Sequence, residues 1–253
     1  MKIKWKGLLK NGRALYLAYD QGLEHGPEGD FNDKNIDPSY VINIAKKSGF
    51  QGIVFQKGIA EKYNDEIKKS KIPLIIKLNG KTKLYKGEAL SEQICSVGEA
   101  LKLGAKAVGF TIYLGSEHEA HMISHFAKIE REAHKKGIPV MLWAYPRGKK
   151  IKNDVSRENM AYSARLGLEL GADVVKIKWN GKEEDLRWAI KSAGKCKLIV
   201  AGGKKINESD FLKQAKKIIS CGASGMAIGR NLWGSNNPLS LAKELNKIVF
   251  GRK

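Results

Sequence analysis

Long apolar runs are missing from this 253-residue chain. No stretch approaches the roughly 20 residues that a membrane-spanning helix needs. The N-terminal Met1-Lys2-Ile3-Lys4-Trp5-Lys6 is basic but leads into Asn11-Gly12 rather than the apolar core of a secretory signal. These absences point to a soluble, cytoplasmic protein. Cysteine is scarce too: Cys95, Cys196 and Cys221 lie far apart and form no C-x-x-C pair. That excludes a disulfide framework and a cysteine-rich zinc site, and leaves small buried thiols as the reading. No G-x-G-x-x-G follows the first apolar run. Nor is there an RNP, zinc-finger or helix-turn-helix signature, a linker or a low-complexity tract.

Negative charge is also in short supply. Against 46 Lys and Arg stand 26 Asp and Glu, a formal charge of +20. Such a surplus favours anionic partners, among which phosphorylated metabolites, nucleic acid and acidic lipid are the rivals. The lysines are spread along the chain in pairs such as Lys46-Lys47, Lys68-Lys69 and Lys135-Lys136, with no basic tail. Most of the charge therefore reads as a solvated surface, and no nucleic acid is expected as partner.

What is present is regular. Apolar, β-rich runs recur at Ala14–Tyr19, Gly52–Phe55, Pro73–Leu78, Ala107–Leu114, Pro139–Tyr145, Asp173–Trp179, Lys197–Ala201 and Gly225–Ile228. Between them lie stretches with helical spacing. In Ser91–Leu103, residues Ile94, Val97, Ala100 and Leu101 fall on one face; in Ser209–Ile219 the inward stripe is Phe211, Leu212, Ala215, Ile218 and Ile219. Helices close on Gly49, Gly104, Gly137, Gly171 and Gly222, where a left-handed C-cap is wanted. Eight such units over this length predict one (β/α)8 barrel spanning residues 1–253, in preference to a doubly wound open sheet.

In a barrel, chemistry sits where strands end. Those ends carry Asp20, Lys77 and Asn79, Thr111 and Tyr113, then Trp143, Tyr145 and Arg147. Lys176 and Lys178 follow, then Gly202-Gly203 and Gly229-Arg230. A lysine inside the apolar strand Asp173-Val174-Val175-Lys176-Ile177-Lys178-Trp179 is unusual, because burying an unpaired ammonium is costly. Burial and a like charge both lower a lysine pKa from about 10.4 toward neutrality, as attack on a ketone requires. Lys178 projects from the same face as Lys176, so it supplies that like charge in this reading. The pattern alone does not say which of the two is the nucleophile. A strand-end lysine reaching out to water is the plainer alternative.

Aldol chemistry through a Schiff base also needs a proton carrier. Met141, Trp143 and Tyr145 share one strand face, and Tyr145 at the strand end can serve as general acid/base. The Gly202-Gly203 and Gly229-Arg230 turns follow the seventh and eighth strands, where barrels commonly bind phosphate. Arg230 offers a bidentate contact there. The basic Arg147-Gly148-Lys149-Lys150 loop is placed to hold a second, distal phosphate. His118, His121 and His125 recur at helical spacing in the fourth crossover. A barrel metal site draws ligands from several strand ends, so they read as exposed helix histidines, and no metal or other cofactor is expected in catalysis.

Several segments together resemble the DhnA-type class I fructose-bisphosphate aldolases of the deoxyribose-phosphate aldolase-like superfamily. They are Leu17-Ala18-Tyr19-Asp20-Gln21-Gly22-Leu23-Glu24-His25-Gly26-Pro27, Trp143-Ala144-Tyr145-Pro146-Arg147-Gly148, Val175-Lys176-Ile177-Lys178, Ala201-Gly202-Gly203 and Gly229-Arg230-Asn231. The resemblance implies a Schiff base on Lys176, Tyr145 as acid/base, Asp20 assisting beside the lysine and Trp143 lining the site. It implies two Gly loops holding a substrate phosphate, and it favours fructose 1,6-bisphosphate through Glu24-His25-Gly26-Pro27. A homo-oligomer, often built on pentamers, is also implied. Where the family has Asp-His-Gly, this chain has Asp20-Gln21-Gly22; Gln21 can hydrogen-bond but cannot titrate. Aldol chemistry on another phosphorylated ketose and a non-enzymatic nucleic-acid binder are the competing readings.

Overall fold

The computed structural model describes residues 3–251; Met1 and Lys2, part of the N-terminal reading above, lie outside that range. Eight strands run in parallel. They are β1 (Ala14–Ala18), β2 (Gly52–Gln56), β3 (Leu74–Lys77), β4 (Ala107–Leu114), β5 (Val140–Pro146), β6 (Val174–Ile177), β7 (Lys197–Ala201) and β8 (Gly225–Ile228). Each pairs with its sequence neighbours, and β1 pairs with β8 through Ala14↔Gly225 to Leu17↔Ile228, so the sheet closes into the expected barrel. The crossover helices are α1 (Pro38–Ser48), α2 (Asn64–Ser70), α3 (Val97–Lys102), α4 (Glu119–Lys135), α5 (Arg157–Glu169), α6 (Glu183–Ala193), α7 (Glu208–Ser220) and α8 (Pro238–Phe250). Among the described residues no helix is long and apolar enough to cross a membrane.

Strand alternation divides the apolar residues into two cores. Tyr16, Val54, Ile75, Ala107, Met141, Trp143, Val174, Ile199 and Ala227 fill the barrel, with Leu8 among them and its carbonyl accepting from the Tyr16 hydroxyl at 2.9 Å. The alternate residues, among them Leu15, Leu17, Leu142, Val175 and Ile177, face the helices in a larger outer cluster. On α7 the buried stripe is Phe211, Ala215, Ile218 and Ile219, with Leu212 half-buried beside it. Asn207 caps that helix by accepting from the Asp210 N–H. The five glycines expected at helix ends all take positive φ.

Two sequence expectations need correction. The third crossover is not helical from Ser91. Its helix begins at Val97, because Ser96 and Glu99 form a reciprocal capping box that fixes the start there. Upstream, Glu92–Gln93 pairs antiparallel with Asn79–Gly80 as a small hairpin over the barrel mouth, and Ile94 is exposed. Asn79 holds this hairpin down: its side-chain amide donates to the Ser91 and Thr111 carbonyls at 3.0 and 2.8 Å and accepts from the Thr111 N–H at 2.8 Å. The sixth strand also stops earlier than its apolar pattern, at Ile177, so Lys178 and Trp179 belong to the following loop.

Candidate active site

The C-terminal strand ends surround a cavity of about 530 Å³. It is lined by Asp20, Gln21, Glu24, His25, Lys77, Trp143, Tyr145, Arg147, Lys176, Lys178, Gly202, Gly203, Gly229 and Arg230, among others. Most of the strand-end residues named from the sequence thus meet in one place; Asn79, Thr111, Tyr113 and the Gly148-Lys149-Lys150 stretch do not line it. Strand parity explains the convergence. Lys176 follows Val174 on the inward face of β6, and Trp143 and Tyr145 follow Met141 inward on β5. Gly109 on the neighbouring strand makes room for the indole, since a Cβ there would lie 2.0 Å from the Trp143 ring.

Three of the lysines that line the cavity, Lys77, Lys176 and Lys178, differ in their partners. Lys77, almost fully buried, is ion-paired and hydrogen-bonded to Glu24 and lies 3.8 Å from the Asp20 carboxylate. Lys178 turns outward to Asp154 at 2.5 Å and passes 5.6 Å from the Tyr145 ring centroid. Lys176 has no ion pair among the described residues; its Nζ lies 5.1 Å from the Trp143 ring centroid. Burial pushes the Lys176 ammonium below the usual lysine range. Asp20 and Glu24 oppose that push, and Lys77 reinforces it. The like charge beside Lys176 is therefore Lys77 and not Lys178, because β6 ends before Lys178 and frees its side chain to reach Asp154.

Glu24 sits in the same network. Burial pushes its carboxyl up, but Lys77, with Arg147 and His25, outweighs burial and holds it below the ordinary glutamate range. Tyr145 is raised well above the usual phenol range by burial, then by Asp20, Glu24 and Tyr113, with Arg147 opposing. Before substrate binds, the phenol is thus protonated at neutral pH.

The anion-binding side is partly as expected. Gly202 donates its N–H to the Ala227 carbonyl at 2.8 Å as an extension of the barrel ladder, so it is not free to hold phosphate. Gly203 and Gly229 make no such bond among the described residues. Gly229 is needed as glycine: a Cβ would lie 2.9 Å from both the Ala18 carbonyl and the Gln21 amide nitrogen. Gln21, which stands where the family has histidine, therefore packs against this loop. Arg230 is held by Asp30 at 2.9 and 3.3 Å, and His25 shares the same carboxylate at 2.9 Å. A second cavity of about 480 Å³ adjoins the first, where Lys81, Thr82, Lys83, Arg147 and Arg230 gather. Arg147 is the one member of its basic loop that faces inward. Lys149 pairs with Glu88 at the surface, and Gly148 packs so tightly on Gly115 that the chain turns away.

Lys77, Glu24, Asp30 and Asp154 are the working residues to which sequence reasoning gave no role. Lys77 carried much the same signal as Lys176, a lysine in an apolar strand; Glu24, on the one-turn helix Gly22–His25, stood out only within the resembling segment, and Asp30 and Asp154 lie in turns and carried none. The cysteines are buried, as read, with burial pushing Cys196 up to about 12 and Cys95 up to about 11. His118 sits at the N-cap of α4, away from the neighbouring His121–His125 pair.

Comparison with known proteins agrees with this geometry. The chain is 48% identical over 247 residues to a class 1 fructose-bisphosphate aldolase of Thermoproteus tenax, covering 96% of this chain and 92% of that one. It is 40% identical over 243 residues to the class 1 fructose-bisphosphate aldolase of Halobacterium salinarum, covering 95% and 92%. It superimposes with a TM-score of 0.90, at 47% identity and 95% coverage of both chains, on an archaeal fructose-1,6-bisphosphate aldolase. In that structure the catalytic lysine is covalently bound to the carbinolamine intermediate of the substrate. Residues 14–235 match the model of the DeoC/LacD family aldolases, and the chain belongs to that family.

Proposed function

We propose that this protein is a class I fructose-bisphosphate aldolase, a lyase that interconverts fructose 1,6-bisphosphate with dihydroxyacetone phosphate and glyceraldehyde 3-phosphate. The observation that carries the residue assignment is that Lys176 is buried in the cavity wall, has no carboxylate partner among the described residues, and has its pKa lowered by that burial.

Neutral Lys176 attacks C2 of the open-chain ketose; Tyr145 gives its proton to the carbinolamine hydroxyl, which leaves as water, so an iminium and a tyrosinate remain. Tyr145 takes the C4 hydroxyl proton as the C3–C4 bond breaks and glyceraldehyde 3-phosphate departs. The electron pair moves into the iminium and forms an enamine. Protonation at C3 and hydrolysis then release dihydroxyacetone phosphate and free the lysine. Asp20 and Glu24, buried with Lys77 between them, stabilise the cationic intermediates; Trp143 supplies a ring face beside the iminium. Gly203, Gly229 and Arg230 hold one phosphate. His25, Lys81, Lys83 and Arg147 surround the place for the other.

The protein acts on its phosphorylated sugar in the cytoplasm, without nucleic acid or membrane, and as a homo-oligomer. Exposed Tyr162 and Trp188, on α5 and α6, form an apolar patch of the kind that marks protein contacts. Light scattering reads the assembly size. The function is tested by borohydride trapping with dihydroxyacetone phosphate followed by peptide mass spectrometry. A reduced adduct on the Lys176 peptide is expected; a folded protein that gives no adduct in excess substrate would overturn the assignment.

A further inference from the structure

Outside the barrel mouth, two elements bring three metal-ligating side chains together. His121 and His125 lie four residues apart on α4 and so project from the same face, with ring centroids 4.3 Å apart. Glu92 reaches them from the second strand of the mouth hairpin, its carboxylate 3.2 Å from His121 Nε2. One ligand atom from each of the three residues lies within 4.8 Å of the others. A tetrahedral zinc ion, with bonds of about 2.0–2.1 Å, places its ligand atoms roughly 3.4 Å apart. Small rotations of side chains about half exposed to solvent therefore close the site.

We propose that Glu92, His121 and His125 form a surface site for one divalent transition-metal ion of the zinc type. Two imidazoles and one carboxylate are a donor set that suits zinc and its neighbours rather than magnesium or calcium. An ion pair between Glu92 and His121 needs no third donor; His125 on the same helix face beside that pair is what makes the group a site. The expected triplet at helical spacing, His118 with His121 and His125, is not the ligand set, because His118 sits at the cap before α4 and faces Glu117.

Both ligand-bearing backbones are already fixed. The hairpin is tied to the barrel through Asn79 and through the Ile94 and Cys95 N–H bonds to the Leu78 carbonyl. The start of α4 is tied by Glu119, which accepts from the Gly115 N–H at 2.7 Å, and by the Ser116 hydroxyl, which donates to the Ala89 carbonyl. None of the three ligands lines the Lys176 cavity. The ion has a structural role: it staples the root of the loop that runs from Gly80 to Glu92 onto α4. The same loop carries Lys81 and Lys83 into the anion-binding cavity. Metal binding thus links the root of the loop that presents those two cations to α4 as well as to the barrel.

The test uses the untagged, full-length, metal-free protein and does not depend on its catalytic assignment. Titration with Co²⁺, followed by visible absorption, is expected to give d–d bands that saturate at one ion per chain. Zn²⁺ is expected to displace the cobalt and to raise the melting temperature by a few degrees. His121→Asn/His125→Asn is expected to lose both effects, and Glu92→Gln to weaken them, while the metal-free melting temperature stays near that of the parent. Equal cobalt affinity in parent and double variant would overturn the proposal. So would a thiolate charge-transfer band assigning the metal to cysteine, or the absence of any uptake by the parent.

Discussion

Lys178 and Asp154 meet at 2.5 Å on the rim of the barrel, so the residue two positions beyond Lys176 is withdrawn from it and Lys77 supplies the neighbouring charge. Lys77→Met isolates that influence. It removes a cation that lowers the Lys176 pKa and leaves Asp20 and Glu24, which raise it. The acid limb of the kcat/KM profile is expected to move to higher pH, with kcat/KM on that limb falling about tenfold for every pH unit that it moves. Glu24 also loses its buried partner, at a cost of about 3–5 kcal/mol in unfolding free energy. A pH profile identical to the parent's would show that Lys77 acts only through folding.

Lys176→Met and Lys178→Met separate the two lysines that the strand pattern left equivalent. Borohydride adducts are expected to vanish in Lys176→Met and to persist in Lys178→Met. The Lys178–Asp154 pair is more than a third exposed on both sides, so its loss should change stability by less than about 1 kcal/mol. Adduct formation on Lys178 in either protein would reverse the assignment.

The barrel was legible because its strands obey two simple periodicities. Apolar runs recur, and alternate residues such as Val174 and Val175 go to different cores. Ala107–Leu114, Lys197–Ala201 and Gly225–Ile228 were found to the residue. Lys176, Tyr145 and Trp143 were legible for the same reason, since parity sends all three inward. Partners carried by loops were not. Asp154 lies 24 residues before Lys178, and Asp30 lies 200 before Arg230, with no period linking either pair. The false helix start at Ser91 has the same origin: Ile94 fits a helical stripe, and only the Ser96–Glu99 capping box reveals where the helix begins.

Tyr145→Phe removes the proton carrier but keeps the ring. The lysine can still condense with a ketone, so trapping with dihydroxyacetone phosphate should persist. Cleavage of fructose 1,6-bisphosphate should slow by about 10²–10⁴-fold in kcat. A fall in kcat of less than about threefold, far short of what a general acid/base contributes, would move that role to another group.

Arg230 faces both Asp30 and the Gly203–Gly229 loops, so it is expected to bind phosphate in ground and transition states alike. Arg230→Met should raise KM by about 10- to 100-fold with kcat little changed, in line with about 1.5–3 kcal/mol for a charge-assisted contact. Steady-state kinetics on the bisphosphate and on fructose 1-phosphate locates the contact. An unchanged KM for both would remove Arg230 from the phosphate site.

The pH dependence of stability separates two groups of opposite behaviour. Glu24 has a lowered folded pKa, so its stabilisation is fully present above the ordinary glutamate value of 4.5 and is lost as pH falls through the folded value. Lys176 has a lowered folded pKa as well, but for a lysine that is a cost. Below the folded value the buried ammonium destabilises the fold in full. Between that value and 10.5 the unfolded chain holds more protons than the native one, so stability rises with pH. Lys176→Met removes this dependence. Its stability gain over the parent, read from urea unfolding, should be largest below the folded pKa and shrink toward pH 10.5. The parent's acid limb of kcat/KM should fall in the same window, because the neutral amine that attacks the ketone is the species that burial favours. A stability difference that does not vary with pH would mean that Lys176 titrates as an ordinary lysine, and its nucleophilicity would then need a source other than burial.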